Sequence, residues 1–439
     1  MITRRGALRG FGLAAMAIGA GGILDACAQS TDDPPPTPKE EMAVTLASSD
    51  LDRATPDPAA LAGGVASMHA LGAGLWAELG AAEGNLAISP YSVAVALAMT
   101  ANGAKAKTLY EMIGVLWADS VASLNAGFNA VTQHVESLAG PVERWEDDDA
   151  EIALDAANAL FAQQGVKWEQ AFLDALATSY GAGVQQVDYV TATEAARTAI
   201  NTWTADRTRD RIPELVPAGA LEALTRLVLV NALYLKAPWD VPFEEEMTIE
   251  GDFHLVDGST VEVPLMRGGA TSPARGQGWV AVRIPYAGSE LAMTVVLPDE
   301  GRAADVEAMV TRGEMGVFFT QTSSATVSLT MPRWTFRTPS PLNDALQALG
   351  MERAFDEGAA DFSGMTTEER LHVSAVLHEV FIAVDEAGTE AAAATAVVMA
   401  GTSAPDDVLE VVLDRPFLFV IHDVEHGTPL FVGRVANPS

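Results

Sequence analysis

Twenty residues near the C-terminus, Asp385 to Ala404, read DEAGTEAAAATAVVMAGTSA, and no ordinary element suits all of them. Four consecutive alanines, Ala391, Ala392, Ala393 and Ala394, favour a helix. Thr395, Val397 and Val398 favour a strand, and Gly388 and Gly401 stand at either end. Neither state is locally stable, so the segment is one that can change state. From Ala391 to Ser403 no side chain is charged and most are small. Such a chain can slide between two strands of an existing sheet and be buried there at little desolvation cost. A flexible alanine linker or a buried helix has the same composition, so the segment alone does not fix its role.

The rest of the chain supplies the sheet such a segment would need. With 439 residues and 49% hydrophobic content there is ample material for a large core. A net charge of -33, from 26 basic and 59 acidic residues, excludes nucleic acid as a partner, because phosphate is repelled over the whole surface. Cys27 is the single cysteine, so no intramolecular disulfide forms and the fold stands on packing.

That cysteine sits at the end of an export signal. Arg4-Arg5 is followed by a largely apolar run from Gly10 to Leu24 and then by Leu24-Asp25-Ala26-Cys27, the plan of a bacterial signal that ends at a lipid-attachment thiol. Thr3 to Arg9 also resembles the twin-arginine motif, with Ala7 where an aromatic or leucine is usual, so both export routes stay open. The other reading is an uncleaved membrane helix, although the run falls short of the ~20 residues a span needs. No later stretch is expected to be long and apolar enough to cross. Residues 28–60, with Asp32-Asp33-Pro34-Pro35-Pro36-Thr37-Pro38, are predicted to be a disordered tether. Residues 61–439 are predicted to be one domain, displayed at the cell envelope or cell surface by a lipid on Cys27.

Within that domain, Ser89-Pro90 marks a helix start ahead of the alanines and aliphatics of Ser92 to Met99. Strands are predicted at Arg226–Leu235, Leu291–Leu297, Ala325–Pro332, Val376–Val384, Leu409–Leu413, Phe417–Ile421 and Leu430–Val435, all rich in β-branched or aromatic residues. Helices early and many strands later predict the α+β class. His422-Asp423-Val424-Glu425-His426 matches the H-x-x-E-H zinc-peptidase pattern. That chemistry needs a helix to bring both histidines to one face. Here two strand-like runs flank the motif, with Gly427-Thr428-Pro429 beside it, so a hairpin tip is predicted and no metal or cofactor is expected.

Glu386, Gly388, Thr389, Glu390, Ala391 to Ala394 and Thr395 are similar, residue for residue, to the mobile-loop hinge of the serpin family. Leu371 to His378 resembles the strand that leads into the hinge, and Asp414 to Phe419 and Leu430 to Pro438 resemble the two closing strands and the C-terminus. Asn85 to Thr108 resembles the second helix, and Asn231 to Lys236 with Trp239, Pro242 and Phe243 resembles a central-sheet strand and its turn. Ala387 departs from the charged residue common at its position, and the stretch from Ala404 to Leu413 is about three residues longer than in many members.

The resemblance implies three β-sheets with eight or nine helices and an exposed reactive-centre loop. It implies a suicide inhibitor of serine proteases, or of cysteine proteases by the same acyl chemistry, acting as a monomer. The cut would fall at Thr402-Ser403, and Ser89, Ser92, Asn231, His378 and Trp239 would govern opening of the sheet. Thr402, preceded by Met399, Ala400 and Gly401, suits shallow pockets of the elastase, subtilisin or chymotrypsin kind. A non-inhibitory serpin (carrier, chaperone or scaffold) is the alternative; small residues in the hinge disfavour it.

Overall fold

The computed structural model describes residues 44–144, 149–320, 323, 325–390 and 408–439. Among these, the α-helices are α1 Leu61–Leu79, α2 Pro90–Ala101, α3 Ala106–Val115, α4 Val121–Ser137, α5 Gln170–Tyr180, α6 Tyr189–Arg207, α7 Ala303–Thr311, α8 Val317–Thr320 and α9 Asn343–Ala348. The first strands are β1 Thr45–Ala47, β2 Leu86–Ile88, β3 Gly140–Glu143, β4 Asp149–Gln163, β5 Val184–Val187, β6 Leu227–Pro238, β7 Ile249–His254, β8 Thr260–Gly276 and β9 Trp279–Pro285. The remaining strands are β10 Leu291–Pro298, β11 Thr326–Pro332, β12 Trp334–Pro341, β13 Ala375–Val384, β14 Gly388–Thr389, β15 Val408–Val412, β16 Phe417–Asp423 and β17 Pro429–Val435.

Three sheets result, in an α+β arrangement as the sequence predicts. The central one runs β1-β5-β4-β6-β14-β13-β12, with β3 hydrogen-bonded to the start of β4. The other two share a strand. Thr260 to Ala270 of β8 pairs with β7 and β11, beyond which lies β15, while Thr271 to Gly276 pairs with β9 and leads on to β10, β16, β17 and β2. A bulge between Thr271 and Pro273 marks the change of partner, where the extra residue bends the strand out of one sheet and into the next.

Helix α2 is where the sheets meet. Ser89 caps it, its side chain accepting the Ser92 amide at 3.2 Å, and Pro90 supplies a first turn with its φ already set. Every residue from Pro90 to Ala101 is buried, and the helix packs against α1, β4, β6 and β17. Alanines at 94, 96, 98 and 101 let strand backbones approach closely, which large side chains would prevent.

Two expectations are corrected. The tether does not reach residue 60: Thr45, Leu46 and Ala47 pair with Gln186, Gln185 and Val184 at the edge of the central sheet. Arg53 then binds Glu136 at 2.8 Å, Asn129 at 3.2 Å and the Thr132 hydroxyl, all on α4, and the Ala54 amide donates to Thr178 on α5. Proline and charge in this stretch read as disorder, but specific partners on α4 and α5 outweigh that composition. Second, Pro58–Leu79 is long and apolar enough by length and composition to cross a membrane. In the fold its apolar positions Leu61, Val65, Met68, Leu71, Leu75 and Trp76 are buried against the body.

Candidate functional site

Strands β6 and β13 run parallel and pair from Val228–Ala375 to Ala232–Glu379. Above that they diverge, and β14 lies between them, Gly388 against Pro238 and Thr389 against both Ala237 and Val384. The chain reverses at Asp385 to Ala387. The Asp385 carboxylate accepts the amides of Ala387 at 2.9 Å and Gly388 at 3.2 Å, and its own amide donates to the Gly388 carbonyl at 3.0 Å. Burial pushes the Asp385 carboxyl up from its ordinary value, and the two amides oppose that shift. Gly388 has φ +155, and a Cβ there would meet the Ala237 carbonyl oxygen at 2.3 Å, so only glycine fits.

A polar and aromatic cage holds this turn. Thr389 is 2% exposed, with its hydroxyl 2.6 Å from that of Tyr286. Tyr286 stacks on Trp239 at 4.6 Å between ring centroids. The Trp239 indole N–H donates to the Asp385 carbonyl at 2.9 Å, and the Trp239 amide donates to the Ala387 carbonyl. The buried Glu386 carboxylate accepts from Arg333 Nε at 2.8 Å and from the Thr248 hydroxyl. That pairing raises the pKa of Arg333.

Lower on the same seam sits a second network. The Ser89 amide donates to His378 Nε2 at 3.0 Å, so Nε2 carries no proton and Nδ1–H donates to the Asn231 carbonyl at 3.1 Å. His378 lies on β13 and Asn231 on β6, so this bond crosses the seam; so does that from Asn231 Nδ2 to the Leu377 carbonyl at 3.3 Å. The Ser92 hydroxyl donates to Asn158 on β4. Complete burial lowers the His378 pKa to about 4, the Asn231 bond opposing only part of the shift. The ring is neutral at pH 7 and fixed in one tautomer.

Ser89, Ser92, Asn231 and His378 therefore come together, while Trp239 belongs to the hinge. Glu386, Gly388, Thr389 and Glu390 are placed at the top of the seam. Cys27, Ala391 to Thr395, Thr402 and Ser403 lie outside the described residues. Sequence reasoning missed Tyr286, Arg333, Asn158 and Arg211, the last of which pairs with Glu390. For Arg333 and Arg211 the hinge glutamates gave the hint, since a buried carboxylate requires a cation; nothing in the sequence signalled Tyr286 or Asn158. The H-x-x-E-H residues do form the tip of the β16–β17 hairpin: His422 turns inward and stacks on Phe319 at 4.0 Å, while His426 meets His134 edge-on.

Residues 66–438 match the family described as Serpin (serine protease inhibitor). An uncharacterized serpin-like protein of Thermococcus kodakarensis is 35% identical over 369 residues, covering 83% of each chain. The leukocyte elastase inhibitor of Xenopus tropicalis is 31% identical, covering 81% of this chain and 94% of that one. The crystal structure of tengpin, a thermophilic serpin in its native state, superposes with a TM-score of 0.77 at 25% identity, over 89% of this chain and 97% of that one.

Proposed function

This chain belongs to the serpin family, and on that premise we propose that it inhibits serine proteases as a suicide substrate, cut in the loop after Glu390 and then inserting that loop between β6 and β13. The observation that supports this most is β14, because its two residues, Gly388 and Thr389, already lie between the strands that must part. The nucleophilic serine of a protease would attack the Thr402 carbonyl and become acylated by it, while the Thr402–Ser403 bond breaks and Ser403 leaves as a new amino terminus. Gly388 to Thr402 is 15 residues, roughly 50 Å as a strand at ~3.3 Å per residue, enough to carry an attached protease along the sheet. About ten new ladder bonds at ~1 kcal/mol each give on the order of 10 kcal/mol, comparable to a domain's whole stability.

The proposed targets have small or shallow pockets, of the elastase, subtilisin or chymotrypsin kind, because Thr402 offers neither a cation nor a large ring. Mixing the purified protein with elastase, subtilisin, chymotrypsin and trypsin tests this on denaturing gels. A detergent-stable band and a released fragment beginning at Ser403 are expected. Clean cleavage by every enzyme without such a band would favour the non-inhibitory reading. Thr402→Arg is expected to raise the rate of trypsin inhibition at least tenfold; no gain would place the cut elsewhere.

We also propose that the protein is exported and held by acyl chains on Cys27. Cys27→Ser is expected to move it from membrane to soluble fractions, and continued sedimentation with membranes would argue for an uncleaved helix.

A further inference from the structure

The connection from α6 to β6 carries two consecutive residues in the left-handed region, Arg209 at φ 50 and Asp210 at φ 62. Non-glycine residues rarely adopt this conformation, and two in succession are costly. The turn aims two guanidinium groups back over the central sheet. Arg209 lies 5.0 Å above the Tyr234 ring on β6 and reaches Asp155 on β4 at 3.3 Å. Arg211 lies 5.7 Å from the Phe381 ring on β13 and pairs with Glu390, directly after β14. Arg337 of β12 packs on the same Phe381 ring at 5.6 Å. A row of charge and aromatic rings thus crosses the sheet at the level where β14 ends.

Glu390 is held at both ends. Its amide donates to the Ala383 carbonyl at 2.9 Å, continuing the β13–β14 ladder, and its carboxylate meets Arg211. Its φ is 52, so the backbone leaves the extended conformation here. The carboxylate side chain is 10% exposed. Burial alone pushes its pKa up, with Arg211, Arg209 and Lys236 opposing that shift.

We propose that Arg211 is a positioning residue for inhibition. It holds Glu390 in the register from which insertion resumes, so that the first ladder step after cleavage does not have to be found by search. Arg209 supports it by fixing the same turn on β6. The proposal rests on the inhibitory reading above. It adds a residue outside both loop and seam that sets how often a cleaved molecule traps its protease.

The test compares full-length wild type with R211K, R211A, E390Q and the swap R211E with E390R. Hydrogen exchange over residues 386–390 reads the register, and moles of inhibitor consumed per mole of protease trapped read the partition. R211A and E390Q are expected to lose protection and to raise that stoichiometry about tenfold, the equivalent of one charge-assisted hydrogen bond. R211K and the swap should recover most of both. Added salt should raise the stoichiometry of wild type and leave R211A unchanged. Unchanged protection in R211A overturns the proposal, as does unchanged stoichiometry where wild type traps protease. If wild type traps no protease, the inhibitory reading fails, and the positioning role falls with it even where exchange shows Arg211 holding the register.

Discussion

Replacing Thr389 by arginine is expected to convert the protein from an inhibitor into a substrate. Thr389 occupies a site with 2% exposure, against Tyr286 and between β6 and β13. A guanidinium there would have to be buried where a small hydroxyl now sits, and a buried charge without a matched partner costs about 4 kcal/mol. The hinge would leave the sheet, and each subsequent insertion would carry the same cost. With about 1.4 kcal/mol per factor of ten, hydrolysis should gain on trapping by roughly a thousandfold. Gels with an elastase should show full cleavage and no stable complex, while the unfolding midpoint stays near that of wild type because the hinge can withdraw. Thr389→Ser should still inhibit. Persistent complex formation by the arginine variant would remove the hinge assignment.

Acidification is expected to cost the native state much of its stability between pH 6.5 and 4. His378 and His422 are both buried, and burial holds each near a pKa of about 4. In an unfolded chain each would titrate near its ordinary 6.5. As pH falls below 6.5 the unfolded chain takes up protons that the native state refuses, so stability is full above that value, drains through the interval and levels off near 4. At pH 4.5 the loss is roughly 2.5 kcal/mol for each ring, about 5 kcal/mol together. His134 acts in the opposite sense. Its bond to Asp423 raises its pKa, so its contribution is complete below 6.5 and fades as pH rises through the raised value. His69, whose pKa burial also lowers, acts in the same sense as His378. Urea unfolding at pH 7.5 and 4.5 measures the difference, and His378→Gln should reduce it by roughly 2.5 kcal/mol. Equal stability at the two pH values would rule the argument out. The mechanistic cost is more specific than the thermodynamic one: a proton on Nε2 of His378 leaves the Ser89 amide without its acceptor.

Where side-chain pattern and backbone state agree, the fold was legible. The seven predicted strands and the helix after Ser89-Pro90 all appear, with boundaries shifted by three residues or fewer. Strand β4 was not legible. Its sequence, DAEIALDAANALFAQ, is alanine-rich and suits a helix, yet it pairs with β6 along ten positions because tertiary packing overrides local preference. The segment from Thr45 to Ala60 misled for the converse reason, since its partners on α4, α5 and β5 are remote in sequence. Resemblance located Ser89, Ser92, Asn231 and His378, but the distinction between their network and the cage around Trp239 depends on height along the seam. Arg211 carries no local signal at all: its role comes from a turn that places it over Glu390, 179 residues further along the chain.

The seam between β6 and β13 also bears on how the chain reaches this state at all. The bond between His378 and Asn231 joins residues 147 apart, whereas the pairing of Val384 with Thr389 joins residues five apart. By loop-closure entropy the short contact is favoured by roughly 3 kcal/mol. In a refolding chain the hairpin can therefore grow before the distant strand arrives, and a hairpin that grows too far occupies the place reserved for β6. On the insertion mechanism proposed above, the native state wins by timing. Its yield from denaturant should fall as conditions slow the assembly of β6 with β4, even where nothing about the final fold has been changed.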